Sequence, residues 1–123
     1  MADKNALMIG LDPSVVNYDK WPGLTSQKLM AGLTHDLEAL QAEGIGCDFC
    51  LVDHGETAEV TVLEALSKRN YDVVMIGAGV RVDPDEFLLF EKLINVLHEK
   101  APHARIAFNT GPTDSLAAIK RWI

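Results

Sequence analysis

The chain of 123 residues is 48% hydrophobic and 24% charged, which is typical of one folded globular domain with its own core rather than of a disordered protein. Its formal net charge of −7 argues against nucleic-acid and anionic-membrane partners. Because it has neither an apolar run of the ~20 residues that a membrane helix needs nor a signal-peptide pattern, we expect a cytoplasmic protein with no membrane partner.

Four apolar, β-rich runs alternate with four helical patterns along the chain. In chain order, the strands are Ala6–Asp12, Cys47–Asp53, Asp72–Gly77 and Arg105–Asn109, and the helices are Ser26–Glu43, Ala58–Arg69, Pro84–Lys100 and Asp114–Trp122. The strands are almost continuously hydrophobic, as strands buried on both faces must be. Right-handed crossovers with helices on both faces then give the strand order 2-1-3-4. The prediction is a single α/β domain over residues 1–123, a three-layer flavodoxin-like or Rossmann-like sandwich with a four-stranded parallel sheet.

Local signals mark the ends of these helices. Thr25 is placed to cap the first helix, and Gly44 is placed to end it in a left-handed conformation. Asp83 followed by Pro84 indicates a capped start for the third helix, because proline is favoured at the first helical position.

Two cysteines, Cys47 and Cys50, have the C-x-x-C spacing that is common in redox and zinc sites. However, they lie in the body of a predicted strand, where residues three apart face opposite sides and lie ~10 Å apart. A zinc site would need two further ligands at a matching spacing. We therefore predict buried structural cysteines and no metal site.

The predicted topology nominates a ligand site. In open α/β sheets, ligands bind outside the carboxyl ends of the strands, where the strand order reverses. Here the order reverses between the first and third strands. Four loops meet at this edge: Asp12–Leu24, Asp53–Thr57, Gly77–Asp83 and Asn109–Asp114.

The first of these loops is long for a connection between a strand and a helix. We expect Asp12 to orient polar groups of a ligand and either Tyr18 or Trp21 to close over it, because long loops are often lids or binding loops. The alternative is that both aromatic side chains only anchor the loop to the edge of the sheet.

The third loop contains two glycines and an arginine directly after a buried strand. Gly77 and Gly79 would let the backbone approach a ligand closely, and Arg81 has the planar fork that suits a carboxylate or a phosphate. The alternative is a tight turn in which Arg81 forms an ion pair with Asp12, Asp53 or Asp83.

The other two loops contain further polar candidates. Asn109 and Thr110 offer hydrogen-bonding side chains at a strand end, although capping and turn formation also explain them. Asp53 and His54 are candidates for general acid–base chemistry, together with Asp12, because a histidine titrates near neutral pH. The alternative for Asp53 and His54 is a capping or solvated role.

Several nucleotide, hydrolase and receiver signatures are absent. The sequence has no G-x-x-x-x-G-K-[ST] run, no G-x-S-x-G elbow, and no third glycine to complete a dinucleotide fingerprint, since that position is Val82. The run Tyr71–Ile76 resembles the phosphoacceptor strand of receiver domains but ends in Gly77 instead of an aspartate. We expect no cofactor, with Mg²⁺ chemistry at Asp12 and Asp53 as a less favoured hypothesis.

Five motifs carry a resemblance to known proteins. They are Gly10-Leu11-Asp12-Pro13, Pro22-Gly23-Leu24, the run from Val52 to Glu59, the run from Ile76 to Arg81, and Phe108-Asn109-Thr110. On these motifs, nearly the whole chain resembles a group of short bacterial α/β proteins with a flavodoxin-like, receiver-like fold. The resemblance implies the fold and a bacterial origin, and it implies no activity.

The predicted helix over residues 84–100 is unusually apolar. Its hydrophobic residues cover about half of its circumference, and Leu88 lies outside that arc, whereas a surface helix needs a stripe only a little over 100° wide. This excess predicts a homodimer through the helix, which Trp122 and Ile123 at the C-terminus would extend.

Two functions are consistent with these features. The first is binding of a small anionic or polar molecule at the switch point, held by Arg81 and the Gly77–Gly79 backbone, with hydrolysis or group transfer as the reaction if the protein is an enzyme. The second is a non-enzymatic, receiver-like dimer that contacts another protein.

Overall fold

The computed structural model describes residues 4–111 and 113–123. Its single sheet has four parallel strands in the order β2-β1-β3-β4. The strands are β1 (Lys4–Leu11), β2 (Ile45–Val52), β3 (Val73–Ile76) and β4 (Arg105–Phe108). The helices are α1 (Ser26–Ala42), α2 (Ala58–Lys68), α3 (Ala78–Arg81), α4 (Phe87–Lys100) and α5 (Ser115–Lys120), with 3-10 turns at Tyr18–Lys20 and Pro84–Glu86. The predicted α/β class and strand order are confirmed.

Both faces of the sheet are covered, because successive residues of a strand point to opposite sides. On one face, Leu7 and Ile9 of β1 pack with buried residues of α2 and α4. On the other face, Met8 packs with Leu40 of α1 and Ile119 of α5. The result is the predicted three-layer sandwich, with α2 and α4 on one side and α1 and α5 on the other.

The register places the ends of the central strands side by side. Ile9 of β1 is paired with Ile76 of β3, and the Gly77 amide donates to the Ile9 carbonyl at 2.9 Å. The carboxyl ends of β1 and β3 therefore form the switch point of the sheet, with the four nominated loops around it.

The predicted helix ends are largely confirmed. The side chains of Thr25 and Asp83 accept hydrogen bonds from the backbone amides of Lys28 and Asp85, and Gly44 has a φ of 76°. The segment after β3 differs from the prediction of a simple loop, because residues 78–81 form the short helix α3. Its Val80 side chain is buried in the core beneath α4, which offsets the low helix propensity of Gly79.

The two cysteines have the predicted strand placement. Cys50 is buried on the α2 and α4 face as predicted, whereas Cys47 is only partly buried where it packs against the cluster on the α1 and α5 face, and both are free thiols. Burial raises the pKa of Cys47 to about 12 and that of Cys50 to about 11, so neither is a ready thiolate at neutral pH.

Within the described residues, no helix combines the length and the apolar character needed to cross a membrane.

Candidate functional site

A cavity of about 490 Å³ lies between α1 and the carboxyl ends of the strands. It occupies the switch point that the topology nominates, and its volume is within the range of small-molecule sites. Met8, Phe49 and Met75 line it from the sheet, and Leu29 and Leu33 line it from α1. The N-terminal half of α1 therefore borders open space, whereas Leu40, in its C-terminal half, is fully buried in the core.

Most of the cavity wall is hydrophobic. Besides the residues of the sheet and of α1, the apolar wall includes Val16, Pro22, Leu24, Leu51 and Val82. Polar side chains are few, namely Lys28, Asp36, Asn109, Thr110 and Ser115. Such a wall favours an apolar ligand body, because burying polar groups without hydrogen-bond partners is unfavourable.

Glycines create much of the space. Five of the nine glycines in the chain line the cavity, namely Gly10, Gly32, Gly77, Gly79 and Gly111. Among the described atoms, a Cβ added at any of these except Gly77 would meet no neighbour within 4 Å. Gly32 is the most informative, because a glycine inside a helix is about 1 kcal/mol less favourable than alanine and packing does not require it here.

The buried end of the cavity is polar. In the part of the chain that the structure describes, the buried polar or charged residues are Asp36, Glu86, Asn109 and Ser115, and all but Glu86 line the cavity. The Asn109 Oδ1 accepts from the Ala78 amide at 2.8 Å, and its Nδ2 donates to the Ser115 hydroxyl at 3.0 Å. These contacts fix the orientation of the amide.

Asp36 stands beside this pair on α1. Burial raises the pKa of its carboxyl group, and the Ser115 hydroxyl and the charge of His35 partly oppose that effect, whereas the nearby Asp114 carboxylate adds to it. The side chain forms no ion pair with any lysine, arginine or histidine that the structure describes. A buried carboxyl group of this kind has unused capacity to accept hydrogen bonds.

The first loop forms the outer wall and is held at several points. The Tyr18 hydroxyl donates to the Pro13 carbonyl at 2.6 Å, the Nε2 of His54 lies 2.7 Å from the Val15 carbonyl, and Lys20 binds Asp83 at 2.9 Å. Trp21 lines the cavity, whereas Tyr18 anchors its own loop. Of the two aromatic candidates, only Trp21 is placed to contact a ligand.

The predicted acid–base residues are occupied by local contacts. Asp12 Oδ1 accepts from both the amide and the hydroxyl of Ser14. Asp53 accepts from the hydroxyl of Thr57 at 2.6 Å and from the amides of Gly55 and Thr57 at the start of α2. These hydrogen bonds lower the pKa of both carboxyl groups, and neither side chain lines the cavity.

His54 joins three segments instead of facing the cavity. Its Nδ1 lies 2.5 Å from Oε1 of Glu86, and its Nε2 faces the Val15 carbonyl. The hydrogen bond to Val15 and then the Glu86 carboxylate raise the pKa of His54. Because a carbonyl can only accept, Nε2 carries a proton, and the contact with Glu86 favours the doubly protonated ring.

Arg81 is directed into the protein. Its guanidinium donates to the Asn109 carbonyl at 2.6 Å and stacks over the Phe108 ring at 5.6 Å. The alternative prediction of an ion pair is wrong, because Arg81 contacts none of Asp12, Asp53 and Asp83, all of which the structure describes. Arg81 does not line the cavity, and its contacts tie α3 to the end of β4.

The structure thus brings together part of the predicted site. Trp21, Gly77, Gly79, Asn109 and Thr110 line one cavity, whereas the predicted residues outside its lining are Asp12, Tyr18, Asp53, His54 and Arg81. Across residues 4–111 and 113–123, histidine, cysteine, aspartate and glutamate side chains form no group of three that could hold a metal ion.

Sequence reasoning missed Gly32, Asp36 and Ser115. The signal for the first two was present, since they fall on the same helical face as Leu29, Leu33 and Leu40. A glycine and a carboxylate on the inward face of an amphipathic helix indicate space and a polar group beneath it. Ser115 carries no comparable signal, because its position follows from the packing of α5 on the sheet.

No protein-family model matches the chain, and no curated protein is significantly similar to it. The function is therefore inferred from the geometry of the cavity.

Proposed function

We propose that this protein binds a small, mainly apolar molecule in the cavity between α1 and the carboxyl ends of β1, β2 and β3. The proposal rests on the size and the lining of the cavity, which has a volume of about 490 Å³ at the switch point and is lined mostly by aliphatic and aromatic side chains. Sites for small molecules have this character, with a few polar groups that fix the orientation of the ligand.

Because the cavity wall is mainly apolar, the expected ligand is an apolar molecule instead of the anionic or polar one that the loop residues suggest. Arg81, the expected anion-binding group, already donates to the Asn109 carbonyl, and Lys28 at the cavity donates to the Gly23 carbonyl at 2.9 Å. Met8 and Met75 instead supply flexible, polarisable side chains that adapt to an apolar shape. The proposal is one of binding, because Asp12, Asp53 and His54 lie outside the cavity lining.

Gly32 provides the sharpest test. A leucine at this position would extend into the cavity, because a Cβ there meets nothing within 4 Å. The probe is 1-naphthylmethanol, an apolar molecule with one small polar group, titrated into ¹⁵N-labelled protein and followed by two-dimensional amide NMR. We expect saturable shifts at the amides of residues 28–36 and 109–111, which Gly32→Leu removes.

The matched control is Ala31→Leu, which places the same leucine side chain on the exposed side of the same helix. It should bind the probe as the wild type does. Shifts that fail to saturate, that map away from α1, or that persist unchanged in Gly32→Leu would refute the proposal.

A second candidate function, assembly into a homodimer, is favoured by the start of α4. Leu88 is 74% exposed and Phe87 is 58% exposed, although Leu89, Leu93 and Leu97 of the same helix are buried against the sheet and α2. We propose that these two exposed side chains meet a second copy of the chain. Ile123 packs on the opposite face of the sheet, so it does not extend this surface.

A further inference from the structure

We propose that the ligand of this cavity is an apolar primary amine whose ammonium group is bound by the carboxylate of Asp36. This inference rests on the proposed function and specifies the chemical class of the molecule. Asp36 is only 9% exposed, yet its side chain lines the cavity. Among the described lining residues it is the one carboxylate, and it lies with Asn109 and Ser115 at the polar end of a mainly apolar space.

The hydrogen-bond direction at the buried end is determined by its neighbours. Because the Ala78 amide donates to Oδ1 of Asn109, the Nδ2 of Asn109 must donate to the Ser115 hydroxyl. The Ser115 hydroxyl therefore keeps its own proton to donate, and it lies near enough to Asp36 to lower the pKa of that carboxyl group. The donors at this end of the cavity leave Asp36 in the role of an acceptor.

A carboxylate can accept about four hydrogen bonds, and Ser115 is the one described side chain near enough to offer a hydrogen bond to Asp36. Because Asp36 lines the cavity, its remaining capacity is available to a donor that enters with the ligand. An ammonium group carries three donors and the opposite charge, which makes it the best-matched partner.

The surrounding charges also favour a cation. Lys28 is the only basic side chain in the lining, and it lies eight residues before Asp36, about 12 Å along the helix axis. Its Nζ donates to the Gly23 carbonyl. The Asp114 carboxylate, which accepts hydrogen bonds from Thr110 and Gly111, is close enough to raise the pKa of Asp36 and so adds negative charge near that residue.

Burial disfavours the charged form of the Asp36 carboxyl group. An incoming ammonium group would offset this effect, and the apolar wall would cover the rest of the ligand. A carboxylate ligand would meet like charge from Asp36 and Asp114. An alcohol would gain one neutral hydrogen bond without the charge.

The test compares three probes with one apolar body: 1-naphthylmethylamine, 1-naphthylmethanol and 1-naphthoate. Each is titrated into the wild-type protein at pH 7 and followed by amide NMR. We expect the amine to bind about 10-fold or more tightly than the alcohol, the ratio that a hydrogen bond to a charged group supplies. The carboxylate should bind most weakly of the three.

Asp36→Asn should remove the preference, so that the amine binds no more tightly than the alcohol. Glu38→Gln is the matched control, because it changes the net charge equally at an exposed position of the same helix. This control should keep the preference of the wild type. If Asp36→Asn does not fold, the wild-type series alone still decides, because the order of the three affinities does not depend on the variant.

Failure of this inference can be distinguished from failure of the proposed function. Equal affinities for the amine and the alcohol, with both lost in Gly32→Leu, would overturn the role of Asp36 and leave the apolar site intact. The absence of binding by all three probes would overturn both.

Discussion

The imidazole of His54 and the carboxylate of Glu86 connect the loop after β2 to the start of α4, with 2.5 Å between Nδ1 and Oε1. Glu86 is 6% exposed, and its Oε2 has no partner among the described residues. A buried carboxylate with one charged partner depends on that partner. The other nitrogen of His54 faces the Val15 carbonyl. The protonated imidazole therefore holds both the loop that contains Val15 and the turn that contains Glu86.

This contact predicts a pH-dependent contribution to stability. The hydrogen bond to Val15 and the Glu86 carboxylate raise the pKa of His54 above 6.5, with smaller support from the charge of Glu56. The folded state thus favours the protonated ring. The contribution of His54 is fully present below pH 6.5 and is lost as the pH rises through the raised value. It should be about 1 kcal/mol or less, since the imidazole is partly exposed to solvent.

The measurement is thermal unfolding of the wild type and of His54→Ala from pH 5.5 to pH 9. The difference in Tm between the two should be largest at the acidic end and should narrow as the pH rises. His103→Ala, which alters an exposed histidine before β4, should show no such trend. A difference that grows with pH would contradict the assignment of a protonated His54.

Substitution of Gly32 by alanine is expected to raise the free energy of unfolding, whereas most substitutions lower it. Gly32→Ala should stabilise the protein by about 1 kcal/mol, because alanine favours the helix and the added methyl group meets no atom within 4 Å. For a domain of this size, that corresponds to a rise in Tm of about 3–5 °C.

Gly44→Ala is the matched control at the end of the same helix. Gly44 has a φ of 76°, a conformation that is unfavourable for alanine by about 1–2 kcal/mol, so this variant should lose stability. If Gly32→Ala lowers Tm as well, Gly32 is required by packing, and the space beside it does not explain its presence.

The elements of the fold follow from local patterns, which is why their ends could be predicted within three residues, the largest difference being the start of α4 at Phe87 instead of Pro84. The runs around Met8 and Met75 are apolar enough to specify buried strands, and Asp83-Pro84 specifies a helix start without reference to the rest of the chain. The short helix α3 could not be predicted in this way. It depends on tertiary contacts, namely burial of Val80 and the Asn109 side chain that accepts the Ala78 amide.

The site was only partly predictable for a related reason. Topology specified the correct edge of the sheet, so Asn109 and Gly79 were found by position alone. The partners of Arg81 and His54 were missed, because the first is a backbone carbonyl and the second, Glu86, lies 32 residues away. Neither kind of partner is marked by sequence spacing. Asp36 carries no sequence signal of its own for burial, and only its helical spacing from Leu29, Leu33 and Leu40 indicates that it faces inward.

Arg81→Ala should now lower stability and spare the cavity. The variant removes the hydrogen bond to the Asn109 carbonyl and the stacking on Phe108, so we expect a loss of about 1–3 kcal/mol in urea unfolding. Binding of 1-naphthylmethanol should persist wherever the variant is folded, because Arg81 does not line the cavity.

Arg121→Ala is the control for this substitution. The Arg121 guanidinium also donates to a backbone carbonyl, that of Phe108 at 3.0 Å, but its side chain is exposed, and its loss should change stability by less than about 0.5 kcal/mol. If Arg81→Ala abolishes binding while stability stays unchanged, Arg81 belongs to the ligand site after all.

The surface at the start of α4 leads to a prediction about assembly. If Leu88 and Phe87 meet a second copy of the chain, Leu88→Glu should convert a dimer into a monomer, because two carboxylates would be buried across a two-fold interface. The substitution should leave the Tm of the monomer nearly unchanged, since Leu88 is exposed within the chain. Sedimentation velocity distinguishes the 13.5 kDa monomer from a particle of twice that mass.

The control is Gln27→Glu, which adds a negative charge at an exposed position of α1 and should leave the dimer intact. A wild-type protein that sediments as a monomer at all concentrations would show that the side chains of Phe87 and Leu88 do not mediate self-association.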